Sequence, residues 1–127
     1  MLEVRIASNA GFCFGVQRAV NSALNHGYSG EQYMLGDITH NKVVIEKLRL
    51  RGLKTVESVD ELPTGDGTGC VIIRSHGADK ETYDKIAQKG YNVIDATCPF
   101  VAKIHDIVSK HYSDGYHIVI IGEAAHP

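Results

Sequence analysis

Two of the three cysteines in this 127-residue chain are placed where a thiolate could do chemistry. Cys13 lies between Gly11 and Gly15, which allow the backbone to approach a ligand closely, and a predicted helix begins beside it. Cys98 directly precedes a proline, which favours the first turn of a helix. Because a helix N-terminus stabilises negative charge, thiolates are favoured at both positions. Cys70 opens an apolar run and is predicted to be a core residue.

The residues alone leave several kinds of thiol chemistry open for Cys13 and Cys98. The three cysteines are widely spaced, form no CxxC pair and predict free thiols in a cytoplasmic protein. Their spacing matches neither a zinc finger nor the common ferredoxin patterns. A nucleophilic thiol would need a histidine as its base, and no histidine is placed by sequence to pair with either cysteine.

Three of the seven histidines follow predicted strands and could bind an anion: His40, His76 and His126. Imidazole N–H groups and helix N-termini donate hydrogen bonds to phosphates, so we expect a phosphate or diphosphate ligand there. The other histidines fall in predicted helices or at a strand start and are assigned structural or surface roles: His26, His105, His111 and His117. Three basic residues could add positive charge, although each is expected to be solvated: Arg18, Lys42 and Arg74.

Hydrophobic periodicity predicts strands that alternate with helices along the whole chain. The predicted strands are residues 2–7, 32–35, 54–56, 70–73, 92–94 and 118–121, and the predicted helices are residues 15–26, 41–51, 80–89 and 99–112. Asp79 is the predicted N-cap of the third helix. This alternation predicts an α/β fold, a parallel sheet flanked by helices, in which ligands bind beyond the carboxyl ends of the strands. The last strand has no crossover helix after it, which indicates a truncated unit.

Composition excludes several classes of function. The 13 basic and 15 acidic residues are interspersed and give a net charge of −2, so no nucleic-acid partner is expected. No stretch has the apolar length of a signal peptide or a membrane span, so we expect no membrane partner and a cytoplasmic location.

Five motifs in order resemble the 4-hydroxy-3-methylbut-2-enyl diphosphate reductase family, also called LytB. They are Gly11-Phe12-Cys13-Phe14-Gly15-Val16 with Arg18-Ala19-Val20, Thr39-His40-Asn41-Lys42-Val43-Val44, Arg74-Ser75-His76-Gly77, Asp95-Ala96-Thr97-Cys98-Pro99 with Val101, Lys103 and His105, and His126-Pro127. The resemblance covers the whole chain but only about the first 40–45% of the family's length. Phe14 replaces the alanine that the family more often has, a difference without expected chemical effect.

The resemblance implies a three-lobed α/β enzyme that holds a 4Fe-4S cluster with one cysteine from each lobe. Cys13 and Cys98 match the first two cluster ligands, and His40, His76 and His126 match the histidines around the substrate. The family reductively removes the allylic hydroxyl of 4-hydroxy-3-methylbut-2-enyl diphosphate in the methylerythritol phosphate pathway. The products are isopentenyl and dimethylallyl diphosphate, and ferredoxin or flavodoxin supplies the electrons.

The resemblance also implies that parts of the family's site lie beyond Pro127. These parts are the third cysteine ligand, the proton-donating glutamate and later substrate contacts. Residues 1–97 then form the first lobe, of which residues 1–13 pack with a missing third lobe, and residues 98–127 begin a truncated second lobe. We therefore expect weak or no cluster binding and no turnover by this chain alone. The alternative is a stand-alone, non-catalytic α/β module that binds a phosphate ligand or a metal.

Overall fold

The computed structural model describes residues 2–123, in which helices alternate with short strands. The elements in chain order are α1 (Phe14–Leu24), β1 (Gln32–Leu35), α2 (Lys42–Leu50), β2 (Leu53–Val56), a 3-10 turn (Val59–Glu61), β3 (Cys70–Ile73), α3 (Lys80–Gln88), β4 (Asn92–Asp95) and α4 (Pro99–Ser113). Among the described residues, no helix has both the length and the apolar character needed to cross a membrane. The predicted fold class, an α/β fold with a parallel sheet flanked by helices, is confirmed.

The four strands form one parallel sheet in the order β2-β1-β3-β4. Met34 of β1 lies beside Thr55 of β2 on one side and beside Ile72 of β3 on the other. The chain adds β2 on one side of β1 and then adds β3 and β4 on the opposite side. The strand order therefore reverses between β1 and β3, the position at which open α/β sheets bind ligands.

Side chains of successive strand residues point to opposite faces of the sheet and build two cores. On one face, Met34 and Ile72 pack with buried residues of α1 and α2, including Ala19 and Leu48. The residues of the second face are Tyr33, Val71, Ile73, Ile86 of α3, and the neighbouring Val56, Val59, Leu62 and Tyr91. All four residues of β3 are buried, as expected for a central parallel strand covered on both faces.

Local hydrogen bonds fix the starts of α2 and α3. The Asn41 side chain accepts hydrogen bonds from the backbone N–H groups of Val43 and Val44, and Asp79 accepts one from Thr82. Such N-caps satisfy donors that a helix leaves unpaired, so the N-cap predicted at Asp79 is confirmed. α1 and α4 differ, because their N-cap residues are cysteines whose side chains make no capping hydrogen bond.

The strands predicted at residues 2–7 and 118–121 are wrong for the described part of the chain. Neither segment pairs with another strand, and their apolar side chains are exposed, as shown by Leu2 at 98% and Ile121 at 96%. Apolar and β-branched residues suit a strand, but a strand forms only where a neighbour supplies hydrogen-bond partners. No such neighbour lies within residues 2–123.

Candidate functional site

Two loops meet at the carboxyl edge of the sheet, where the strand order reverses. Gly36 begins the loop after β1, and a side-chain carbon built on it would lie only 3.1 Å from Nη1 of Arg74, which begins the loop after β3. The first loop leads to His40 and the second leads to His76. His40 is exposed and His76 is half-buried. The sheet thus directs both histidine-bearing loops to the edge where a ligand is expected.

Cys98 lies against the start of α1, which joins it to the segment that carries Cys13. A side-chain carbon at Gly15 would lie 2.7 Å from Cys98 Sγ, closer than real atoms approach, and 3.0 Å from its Cβ. Only glycine therefore fits without displacing the thiol. Cys13 is the N-cap of α1, two residues before Gly15, and Cys98 is the N-cap of α4. Two helix N-termini that each begin with a free cysteine come together here.

The backbone at Thr97 and Cys98 is hydrogen-bonded to two other parts of the fold. The Cys98 N–H donates to the carbonyl of Ser75, the residue before His76, at 2.9 Å. The Thr97 carbonyl accepts a hydrogen bond from Arg18 Nη1 at 2.9 Å. These bonds connect the Cys98 loop to α1 on one side and to the histidine loop after β3 on the other.

Asp95, at the end of β4, makes hydrogen bonds within the loop that leads to Cys98. Its Oδ1 accepts hydrogen bonds from the backbone N–H of Thr97, at 2.8 Å, and from the Thr97 hydroxyl. Partial burial of the carboxylate tends to raise its pKa. Hydrogen bonds from Thr97 and Tyr83 and the positive charge of Arg18 outweigh that effect and hold the pKa of Asp95 below its usual value. The carboxylate is therefore stabilised in its charged form, in which it accepts both bonds from Thr97.

An open cavity of about 960 Å³ lies between the start of α3 and one side of α4. Its wall includes His76, Lys80 and His105, together with apolar side chains of α4 such as Ile104. Gly77, which follows His76, has φ +82°, and a side-chain carbon there would lie 3.1 Å from His105 Cε1. Two carboxylates, Asp79 and Glu123, also line the cavity, and Asp79 already caps the N-terminus of α3. The nitrogen donors that could bind an anionic ligand with an apolar portion are therefore His76, Lys80 and His105.

Sequence reasoning placed some of these residues and missed others. His105 was assigned to a structural or surface role, and its side chain is indeed exposed, where it also lines the cavity of His76. Arg18 was expected to be a solvated side chain, yet it is half-buried and bonded to the Cys98 loop. The helix predicted at residues 99–112 already contained His105, but the pattern could not show which loop its ring faces. His126 lies outside the described residues.

The prediction that Cys70 is a core residue is confirmed, and the other two thiols are not buried. Cys70 has no exposed area, and burial raises the pKa of its thiol to about 11. Cys13 is exposed and Cys98 is half-buried. Within residues 2–123, no set of three or more His, Cys, Asp or Glu side chains is arranged to hold a metal ion. The described residues therefore provide two accessible thiols and not a complete metal site.

We expect iodoacetamide at neutral pH to modify Cys13 and Cys98 in the folded chain and to leave Cys70 unmodified. The reason is that alkylation needs an accessible thiolate, and Cys70 is both buried and protonated. Peptide mass spectrometry measures each site, with the urea-unfolded chain as the control in which all three react. Rapid modification of Cys70 in the folded chain would contradict the described core.

The whole chain matches one protein family and many individual relatives. The family model described as LytB protein matches residues 4–127. The 4-hydroxy-3-methylbut-2-enyl diphosphate reductase of Clostridioides difficile (strain 630) is 41% identical over 99% of this chain. The reductase of the same name from Thermoanaerobacter sp. (strain X514) is 45% identical over 99% of the chain. The chain spans 45% and 44% of the length of these two relatives.

Solved structures give the same result for the fold. A structure of (E)-4-hydroxy-3-methyl-but-2-enyl diphosphate reductase is 40% identical and matches the entire chain with a TM-score of 0.83, over 44% of its own length. The E-1-hydroxy-2-methyl-but-2-enyl-4-diphosphate reductase of Plasmodium falciparum is 30% identical and matches 94% of the chain with a TM-score of 0.83, over 37% of its own length. The chain therefore belongs to the LytB protein family and corresponds to an N-terminal portion of these reductases.

Proposed function

We propose that this chain supplies two iron–sulfur ligands and part of the diphosphate-binding surface of a 4-hydroxy-3-methylbut-2-enyl diphosphate reductase. The observation that carries the proposal is the contact of Cys98 with Gly15, which brings two cysteine-bearing helix N-termini to one edge of the sheet. Membership of the LytB family and the names of the relatives support the substrate and the reaction.

Cys13 and Cys98 fit the role of cluster ligands in chemical type and position. Iron–sulfur clusters are held by cysteine thiolates, and helix N-termini stabilise the negative charge that such a group carries. Two thiols are too few for a 4Fe-4S cluster, and Cys70 is buried in the core and unsuited to be a third ligand. We propose that the remaining ligand comes from residues after Pro127.

His76, together with His40 and His126, is proposed to hold the diphosphate of the substrate. The position of His76 beside Lys80 in the cavity wall supports this role, because an imidazole N–H and an ammonium group both donate to phosphate oxygens. Apolar side chains on the α4 side of the same cavity suit the short hydrocarbon part of an allylic diphosphate. Bound in this way, the substrate would be held by its charged end and oriented by its apolar end.

The proposed reaction removes the allylic hydroxyl group as water. It consumes two electrons and two protons, breaks one carbon–oxygen bond and forms one carbon–hydrogen bond. A bound 4Fe-4S cluster would supply one-electron transfer and Lewis acidity, with electrons from ferredoxin or flavodoxin. The residues of this chain hold and orient the substrate, and the proton donor is proposed to lie after Pro127.

The division into lobes is proposed on the basis of packing. Residues 14–97 contain the whole sheet and both cores. α4 has no buried residue, and its apolar side chains Phe100, Ile104 and Ile107 are 71%, 58% and 48% exposed. This exposure supports the assignment of residues 98–127 to a second lobe, and the exposed residues 2–7 support packing of residues 1–13 with a third lobe.

The proposal predicts which cysteines control cluster assembly. Anaerobic reconstitution with iron and sulfide is compared for this chain and for an extended protein in which the remaining part of the Thermoanaerobacter relative follows Pro127. We expect the broad visible absorption of an iron–sulfur cluster, and a matching iron content, in the extended protein. This chain alone should retain little iron, because it lacks the third ligand.

Single serine substitutions provide matched controls in the extended protein. Cys13→Ser and Cys98→Ser should each abolish most of the cluster absorption, whereas Cys70→Ser should keep it. Equal cluster content in all three variants would contradict the assignment of Cys13 and Cys98. An extended protein that assembles no cluster with all cysteines present would contradict the proposed function.

The diphosphate site is tested by titrating the chain with inorganic diphosphate in a calorimeter. His76→Gln should weaken binding about tenfold, because hydrogen bonds to charged groups contribute about 1.5–3 kcal/mol. His111→Gln is the matched control, since His111 does not line the cavity: its ring contacts the Ile107 carbonyl within α4 and Tyr116 just after the helix. Equal affinities of the two variants would remove His76 from the proposed site.

A further inference from the structure

We propose that Arg18 and Asp95 together position the Cys98 thiol by clamping the peptide that precedes it. This inference rests on the proposed function, because it assigns a role to residues around a proposed cluster ligand. The hydrogen bonds of both side chains at this loop go to Thr97 and not to the cysteine. Each acts through Thr97, so both are positioning residues and not ligands or catalytic groups.

The clamp acts on Thr97 from two sides. Arg18 reaches from the middle of α1 and donates Nη1 to the Thr97 carbonyl, while Asp95 accepts both the backbone N–H and the hydroxyl of the same residue. All three polar groups of Thr97 are therefore bonded, and its side chain is buried. A residue held in this way has little freedom to rotate, and the next residue in the chain is Cys98.

The charges of the clamp support its rigidity. Arg18 and Asp95 carry opposite charges and bond to one residue, and the charge of Arg18 also stabilises the Asp95 carboxylate. Hydrogen bonds that involve an ionised group are stronger than those between neutral groups. Tyr83 of α3 also helps to lower the pKa of this carboxylate, and α1 and β4 supply the hydrogen bonds that hold Thr97.

The geometry around the sulfur explains why such a clamp is needed. Cys98 Sγ lies against the backbone of Gly15, and the Cys98 N–H is tied to Ser75. A small rotation of the Thr97–Cys98 peptide would move the sulfur out of this contact and away from the start of α1. Metal ligands depend on outer hydrogen bonds for their orientation, and loss of such bonds weakens metal binding.

The clamp is tested by the rate at which iodoacetamide modifies Cys98 in the folded 127-residue chain. Arg18→Met should raise that rate about tenfold, because a released peptide lets the half-buried sulfur swing into solvent. A change in the acidity of the Cys98 thiol would alter the alkylation rate less than a change in its exposure. A larger thiolate fraction is accompanied by a lower nucleophilicity of the thiolate. Arg18→Lys retains a charged donor and should recover most of the wild-type rate.

Arg49→Met is the matched control, because Arg49 is an exposed arginine on α2 that pairs only loosely with Asp37, at 3.8 Å. Its Cys98 rate should equal that of the wild type. Asp95→Asn weakens the clamp from the other side without changing the size of the side chain, so it should also accelerate Cys98, by a smaller factor. If Arg18→Met fails to fold, the Cys98 alkylation rate of Asp95→Asn tests the clamp instead.

Two results would overturn the clamp. One is a Cys98 rate within twofold of wild type in both Arg18→Met and Asp95→Asn. The other is equal acceleration of Cys13, Cys70 and Cys98, which would indicate general destabilisation. In the extended protein, Arg18→Met should also retain less iron than Arg49→Met after reconstitution. If the wild-type extended protein assembles no cluster, the proposed function fails, while the alkylation rates still decide whether the clamp exists.

Discussion

Cys98 Sγ lies so close to the backbone of Gly15 that any side chain at that position would collide with it. This contact determines the distance between the start of α1 and the start of α4, and thus between the segments that carry Cys13 and Cys98. The same loop is bonded through Ser75 to the strand end that leads to His76. The lack of a side chain at Gly15 lets the two cysteine segments come together. The hydrogen bond from Cys98 to Ser75 then joins them to the loop that carries His76.

The parallel sheet provides the frame that makes this contact possible. Because β1 and β3 are neighbours and their connections leave in opposite directions, the loops after them open a crevice at one edge. The loop after β4 reaches the same edge from the adjacent strand. Short strands are enough to form this sheet, because β3 is buried along its whole length between two cores.

Sequence patterns predicted the four paired strands and the four helices to within a few residues, because each has a clear apolar period or run. The same patterns failed at residues 2–7 and 118–121, where strand-like residues lack a neighbouring strand among those described. Arg18 was missed for another reason. Its hydrogen bond to the Thr97 carbonyl joins residues that are distant in sequence, and helical spacing alone cannot reveal such a contact.

The most direct test of the central claim is intramolecular cross-linking of the folded chain with a short bis-alkylating thiol reagent. The contact of Cys98 with Gly15 predicts a single major product that links Cys13 to Cys98, identified by peptide mass spectrometry, and its loss when the chain is unfolded in urea. Separate modification of Cys13 and Cys98 in the folded chain, with no linked product, would contradict the placement of the two thiols at one edge of the sheet.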